Sequence, residues 1–482
     1  MATVKIDKFG GIAPRQHPTQ LADGMATVAM NVKLESGKLV PLRQPATALG
    51  VGLLLEGGLG DVQDAETAHV WRKADGSFDF LLFGGKTWTA PGNVADDDLT
   101  RLIVSGDRNG DGAVEAPVLY MRGQGGVETA PIIKKPLDEP VVKRDENAPA
   151  LDTGIVRYTR FVWAWVDANG MESPISPPSK NYAEDSQQQE TTPIDDDLAY
   201  LDGDTIFFKK PAPPTGVTFA SDYKIRVYKV LTGTQTGQMQ FVGDQSWGSL
   251  SDENVTGFSL RVKDENAGEV MPELENAPDD LSNILAVPGS FYVGFSPSKA
   301  KTVCFSDVDL LYSWPEIYRY DIADNIVALA VTSNSVFALT DGWPYVLSGT
   351  APESMTVAKL ASPAACVSPL GVCVLNNAVY FASNDGLMAI ANSATEGTVV
   401  TNVTEQVFTK EQWQALNPAS CILGRHKGRL VLFFRLADGG RRGFMLNFSD
   451  GMSVAVTQHD EGATCVCMDD ATGEMYFIRE EA

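Results

Sequence analysis

Apolar residues in this chain fall in short runs separated by turn residues, and in the C-terminal half the runs recur in pairs. Residues 284–287 and 291–295 flank Pro288-Gly289, 327–331 and 336–339 flank Ser333-Asn334, and 372–375 and 378–381 flank Asn376-Asn377. Further on, 421–423 and 430–434 flank Lys427-Gly428, and 465–468 and 475–478 flank Thr472-Gly473. Two apolar runs around a turn of residues that tolerate positive φ predict a β-hairpin. From Gly289 the turns step to Asn334, Asn377, Gly428 and Gly473, at intervals of 45, 43, 51 and 45 residues. A repeat in the forties built only from strands has the spacing of β-propeller blades. Three units hold a second turn, at Asp341-Gly342, Asp385-Gly386 and Asp438-Gly439, so each needs at least three antiparallel strands. The longest interval carries an insertion, in which Thr409 and Gln412 predict a capping box opening a short helix that Asn417-Pro418 ends.

The N-terminal part adds two hairpins, 31–34 with 38–42 around Ser36-Gly37, and 78–83 with 86–88 around Gly84-Gly85. The repeat stops after the second strand of its fifth unit, which leaves a sheet edge open. The 31–42 hairpin is therefore expected to complete that last blade and close the ring. Between about residues 140 and 280 the pattern changes. Pro136, Pro140 and the charged run Lys143-Arg144-Asp145-Glu146 mark the entry, and 271–280 the exit. Inside, 156–166 alternates, with Phe161, Trp163 and Trp165 on one face, and 223–230 and 239–242 also read as strands. Such alternation predicts half-buried antiparallel sheets, as in an Ig-like or fibronectin-like sandwich. Residues 184–197 are polar and acidic and read as a long exposed loop. The expectation is an all-β protein, a β-propeller interrupted by an inserted Ig-like/fibronectin-like β-sandwich domain. Residues 1–30 form an extended arm, 31–137 the first blades and ring-closing strands, 138–280 the insertion, and 281–482 the remaining blades.

Charge narrows the partners. The 482 residues carry a formal net charge of −24. That surface repels phosphate backbones and anionic lipid heads, which disfavours adhesive nucleic-acid binding without excluding DNA that passes by. No basic leader precedes an apolar stretch at the N-terminus, and no apolar run approaches the roughly 20 residues needed to cross a bilayer, so synthesis as a soluble cytoplasmic protein is expected. The six cysteines, Cys304, Cys366, Cys373, Cys421, Cys465 and Cys467, lie mostly in apolar strand-like runs and read as small buried hydrophobes.

Candidate chemistry is sparse. Asp107-Arg108-Asn109-Gly110-Asp111-Gly112 copies the first half of a calcium loop, with Asp107, Asn109 and Asp111 as ligands one, three and five. The bidentate glutamate due at position twelve is replaced by Val118, and Glu115 at position nine compensates only weakly, so a Gly/Asp-rich turn is the favoured reading. The four histidines are dispersed, and His17, His426 and His459 read as solvated loop residues. No nucleophile elbow or phosphate-binding glycine loop is present, and the Asp-Gly pairs lack the spacing of sialidase Asp boxes. The Phe161/Trp163/Trp165 face reads as packed interior in preference to a carbohydrate platform, and Asp195–Asp197 as solvated charge in preference to a cation site. No catalytic residue and no cofactor is expected.

Several segments resemble one family. Phe9-Gly10-Gly11-Ile12-Ala13-Pro14-Arg15, Ala29-Met30-Asn31-Val32 and Ser36-Gly37-Lys38-Leu39-Val40-Pro41 are similar to the N-terminus of tail nozzle (tail tubular protein B-like) proteins of short-tailed, podovirus-type bacteriophages. So are 157–166 leading into Asn169-Gly170-Met171-Glu172-Ser173-Pro174, Ile225-Arg226-Val227-Tyr228, and 339–349 with Ser383-Asn384-Asp385-Gly386-Leu387. The resemblance touches most of the chain in order. It implies a structural virion protein of the tail without enzymatic activity, made in the host bacterium. It would form a homo-oligomeric ring, a hexamer, that meets the tail adaptor and head-to-tail connector and the tail fibres. The ring would continue and close the DNA-ejection channel, passing genomic DNA without sequence-specific binding. The segment before Asn31, the insertion and the acidic loop are then candidates for contacts with neighbouring subunits, adaptor or fibres. A glycan-degrading or receptor-binding propeller tail protein is the alternative, the latter requiring exposed Trp163 and Trp165.

Overall fold

A computed structural model of the chain describes residues 8–35, 37–48, 51–92, 97, 99–123, 126–132, 134–167, 170–181, 193–212, 223–230, 238–250, 257–263, 268–393, 397–448 and 454–479. The protein is all-β, built from many small sheets. It divides into two compact units, one of Met1–Pro131, Pro278–Leu311 and Ile317–Ala482, the other of Ile132–Ala277 and Tyr312–Glu316.

In the first unit, besides the two-stranded pairs Gly11–Ile12 with Met25–Ala26 and Val32–Glu35 with Lys38–Pro41, the described residues form seven small sheets, numbered here in chain order. Sheet 1 comprises Gly52–Leu55, Thr67–Arg72 and Phe78–Phe83, with Phe78–Phe83 in the middle. Sheet 2 comprises Thr87–Pro91, Leu102–Gly106, Glu115–Gly123 and Gly126–Pro131, so the hairpin expected of 78–83 with 86–88 does not form: Gly84-Gly85 links two sheets, and Phe78–Phe83 pairs instead with Thr67–Arg72 and Gly52–Leu55. Sheets 3 to 6 are four-stranded antiparallel meanders beginning at Ser282–Val287, Ile326–Val331, Val372–Leu375 and Ile422–His426. Sheet 7 is the two-stranded hairpin of Ala463–Asp469 and Glu474–Arg479. All five C-terminal hairpins expected from the pattern are formed. Asn376-Asn377 (φ 50° and 62°) and Lys427-Gly428 (φ 47° and 77°) make two-residue turns with both residues left-handed, which matches the twist of the flanking strands.

Neighbouring sheets meet through their apolar faces. Phe291, Val293 and Phe305 of sheet 3 pack with Leu329, Val336 and Leu347 of sheet 4, and Phe337 and Leu339 of sheet 4 with Val379 and Phe381 of sheet 5. Val431 and Phe433 of sheet 6 meet Ala463, Val466 and Phe477 of sheet 7. Cys465 and Cys467 of sheet 7 meet Phe80 and Leu82 of sheet 1, while Trp71 and Leu81 of sheet 1 meet Val104 and Tyr120 of sheet 2. The strands Thr67–Arg72, Thr87–Pro91, Ser282–Val287, Ile326–Val331, Val372–Leu375, Ile422–His426 and Ala463–Asp469 each lie beside the next, and the last lies beside the first. The six cysteines are buried free thiols.

The N-terminal hairpin forms as Val32–Glu35 with Lys38–Pro41. It does not complete sheet 7. Asn31 N–H donates to Gln458 O (2.8 Å) and Gln458 N–H to Ala29 O (2.8 Å), so the arm lies along Val454–His459, the outer strand of sheet 6. The turn chemistry fixed the hairpin, whereas its partner was chosen by apolar burial: Ile12 is 1% exposed, and it and Ala29 share a core with Leu430, Leu432 and Val456.

The second unit holds a four-stranded sheet ordered Lys180–Asn181, Val141–Arg144, Thr205–Phe208, Phe258–Arg261, and a three-stranded sheet ordered Phe161–Val166, Lys224–Val230, Met239–Ser246. Phe161 of the second meets Phe208 of the first edge-on at 5.3 Å, and Phe208 stacks on Phe258 at 4.9 Å. Alternation predicted a half-buried strand at 156–166, but all six residues of Phe161–Val166 are buried, because Val162 and Ala164 face a second apolar cluster with Tyr228. Most of the acidic loop at 184–197 lies outside the described residues.

Candidate functional site

In the first unit, the calcium-like loop is a turn held by its own carboxylates. Asp107 Oδ1 accepts from Gly110 N–H (2.7 Å) and Oδ2 from Gly112 N–H (2.9 Å), while Asp111 Oδ1 accepts from Ala113 N–H (2.9 Å). Asn109 donates its amide to Glu115, which also takes the N–H (2.8 Å) and Nε (3.2 Å) of Arg108. Asp107 and Asp111 thus cap backbone amides of the turn, while Asn109 braces it by donating to the Glu115 carboxylate. Among the described residues no group of three or more His, Cys, Asp or Glu side chains is placed to hold a metal ion.

The histidines divide by environment. His17 is exposed and caps the short helix at Pro18–Gln20. His426 is half-buried in a strand beside Glu474, and burial lowers its pKa. His459 departs furthest from the solvated reading. It is 4% exposed in Val454–His459, edge-on to Phe433 at 5.2 Å, in space left by Gly443, where a Cβ would stand 2.1 Å from its ring. Burial pushes its pKa down to about 4. His69 is held through Nε2 by Thr87 Oγ1 (2.9 Å) and through Nδ1 by Thr89 Oγ1 (3.2 Å), and enclosure of its ring pushes it down to about 4 as well.

The arm is also stitched to the segment that precedes sheet 6. Arg15 N–H donates to Val407 O (3.1 Å), its guanidinium to Glu405 O, and Gln412 Nε2 to Pro14 O (3.0 Å). The helix supplying Gln412, Lys410–Gln414, has the expected capping box, with Thr409 Oγ1 accepting from Gln412 N–H (3.2 Å) and Gln412 Oε1 from Thr409 N–H (2.9 Å). Gly11, at φ +110°, lies so close to sheet 6 that a Cβ would stand 2.9 Å from Val456 N.

Sheets 7 and 1 share an ion pair that no sequence pattern announced. Arg72 Nε donates to Asp469 Oδ1 (3.1 Å) and its NH2 to Oδ2, and the Asp469 side chain is 2% exposed. Burial alone would raise this carboxyl, but hydrogen bonds from Thr472, Arg72 and the Ala471 amide together hold it below the usual range.

In the second unit, Trp163 and Trp165 are each 1% exposed, and Trp163 Nε1 donates to Asp138 O (3.0 Å), so neither indole forms a binding platform. Asp195 and Asp197 both pair with Arg160. Two stretches carrying the family resemblance meet at Glu172. It receives Arg226 NH1 (2.8 Å) and the hydroxyl of Tyr228, while Asp244 takes Arg226 Nε and NH2 (2.9 and 3.0 Å). Hydrogen bonds to Asp244 and then Glu172 push the guanidinium above its ordinary range, and burial with the Glu172 contact pushes the Tyr228 phenol up.

Beside this cluster a serine ladder covers the edge of Phe161–Val166. Ser173, Ser176 and Ser179 donate N–H to the carbonyls of Trp165, Trp163 and Phe161, and their Oγ atoms accept the N–H of the same three residues at 2.9 to 3.1 Å. The signal was the three-residue serine spacing set among prolines.

No family model matches the chain, and no curated protein matches it. Among solved structures, Hsv2 of Kluyveromyces lactis with complete loop 6CD is similar over 57% of this chain and 66% of that one, at 10% identity and a TM-score of 0.27. The match spans just under two thirds of that chain, and at this TM-score it carries no argument about fold or function.

Proposed function

We propose that this chain is a structural subunit of a short-tailed phage tail, forming the distal nozzle as a hexameric ring below the adaptor. On this reading the first unit is a seven-bladed β-propeller and the second an inserted Ig-like or fibronectin-like sandwich. The cyclic neighbour order of the seven sheets supports the propeller. Facing sheets of three and four strands support the sandwich.

The observation that carries the nozzle is the run of segments similar to nozzle proteins, together with where they lie. Met171-Glu172-Ser173 and Arg226–Tyr228 hold each other through Glu172 and Arg226 (2.8 Å). The Gly10–Arg15 stretch is tied to the 405–413 segment, whose Trp413 donates Nε1 to Ser383 O (2.7 Å) within another similar stretch. The matches therefore fall on joints of the fold and not on interchangeable surface. A net charge of −24 suits a conduit through which DNA slides, since a strongly basic lumen would grip the phosphates.

Electron microscopy of the purified protein, alone and with its adaptor ring, tests the reading. A ring with a central channel that docks on the adaptor is expected. A monodisperse monomer that ignores the adaptor removes the nozzle.

A further inference from the structure

Sheet 7 stops at two strands where sheets 2 to 6 have four. The outward N–H and C=O groups of Glu474–Arg479 have no strand partner among the described residues. Sheet 1 shows the same vacancy from its own side. Leu53 pairs in register with Phe80 and Leu55 with Leu82, so both leucines continue the face that Cys465, Cys467 and Tyr476 cover. Yet Leu53 is 53% and Leu55 39% exposed. A third strand on sheet 7 would satisfy the edge and lie over the leucines together. Residues 42–48, which lead from the N-terminal hairpin towards Gly52–Leu55, are coil; Leu42 bonds to Asn31, and Pro45 has no N–H to give.

We propose that this slot takes the strand Thr356–Lys359 of a second copy of the chain. That strand is the outer one of sheet 4, and all four of its residues are exposed. Lysine on an edge strand normally guards against pairing, but Lys359 is turned back over the Trp343 ring at 4.3 Å, which leaves the edge unguarded. Val357 supplies an apolar side chain for the leucines. Copies that each carry −24 repel, so they meet best where no charge faces out. The slot qualifies: Met475, Tyr476, Phe477 and Ile478 are uncharged, while Glu474 is paired with Lys427 and Arg479 with Glu461. Slot and strand lie on different sheets, so the contact is head-to-tail, the kind that builds rings. The choice of a second copy rests on the assembly reading above.

Sedimentation velocity and amide hydrogen exchange of the full chain, with and without the exposed pair L53K/L55K, test the pairing. Association is expected, with at least tenfold slower exchange at both 475–479 and 356–359. The double variant should stay monomeric with an unchanged circular dichroism spectrum. Association that leaves either strand unprotected, association that survives L53K/L55K, or a wild-type monomer overturns the pairing. Pairing without adaptor docking would remove only the nozzle.

Discussion

Replacing His459 with phenylalanine is expected to flatten the acid side of the protein's stability profile. The ring is 4% exposed against Phe433, and among the described residues its Nε2 has no hydrogen-bond partner. In the unfolded chain this histidine takes a proton near its ordinary 6.5, whereas in the folded chain it resists until about 4. Between those values the unfolded state binds more protons, so stability is full above pH 6.5, falls as the pH drops, and levels off below about 4. The whole contribution is about 3 kcal/mol, and about 2 kcal/mol of it is lost between about pH 7.5 and about pH 5. A phenylalanine ring keeps the Phe433 contact and cannot be protonated. His69 adds a similar slope of its own, so the informative quantity is the difference between wild type and variant. Guanidinium unfolding at the two pH values supplies it. If H459F loses as much stability on acidification as the wild type, His459 is not held neutral by burial and the reasoning fails.

Removing Arg72 (R72M) strands a buried carboxylate and should cost about 2 kcal/mol by thermal or chemical unfolding, most of it regained in R72M/D469N; an indifferent R72M would show an idle pair. Gly11→Ala forces a Cβ against Val456 N at φ +110°, so a loss on the order of 2 kcal/mol and faster proteolysis at Lys8 and Arg15 are expected, and unchanged cleavage would mean the arm is not stitched to sheet 6. Ser176→Ala removes the hydroxyl that accepts Trp163 N–H at 3.1 Å, which should cost about 1 to 2 kcal/mol and speed exchange of that amide; unaltered exchange would discount the ladder.

What was legible in the sequence was what short-range chemistry decides. Asn376-Asn377 and Lys427-Gly428 announced their turns because few residues accept positive φ, and Thr409 with Gln412 announced a helix start because the cap is a local exchange of hydrogen bonds. Partner choice over long separations was not legible. Nothing near residues 31–42 says that they lie along sheet 6 and not sheet 7, because apolar burial has no address in the local pattern. His459 looked like a turn residue because the vacancy that admits it is Gly443, on the paired strand. Arg72 and Asp469 are 397 residues apart and carry no spacing signal. The serines failed differently: their spacing of three was visible, but its meaning required knowing which strand edge they faced.

The serine ladder has a consequence for how this protein fails. Phe161-Val162-Trp163-Ala164-Trp165-Val166 is an uncharged, wholly apolar hexapeptide, five of its six residues β-branched or aromatic and none proline or glycine, the composition of a steric-zipper segment. Sequestration depends on three hydroxyls and three amides from one proline-rich stretch, which other chains cannot imitate in register. Conditions that peel residues 173–179 away therefore open a template for cross-β stacking before the unit has unfolded. For the second unit, loss of soluble protein under stress should be governed by the detachment of that stretch rather than by the global melting point.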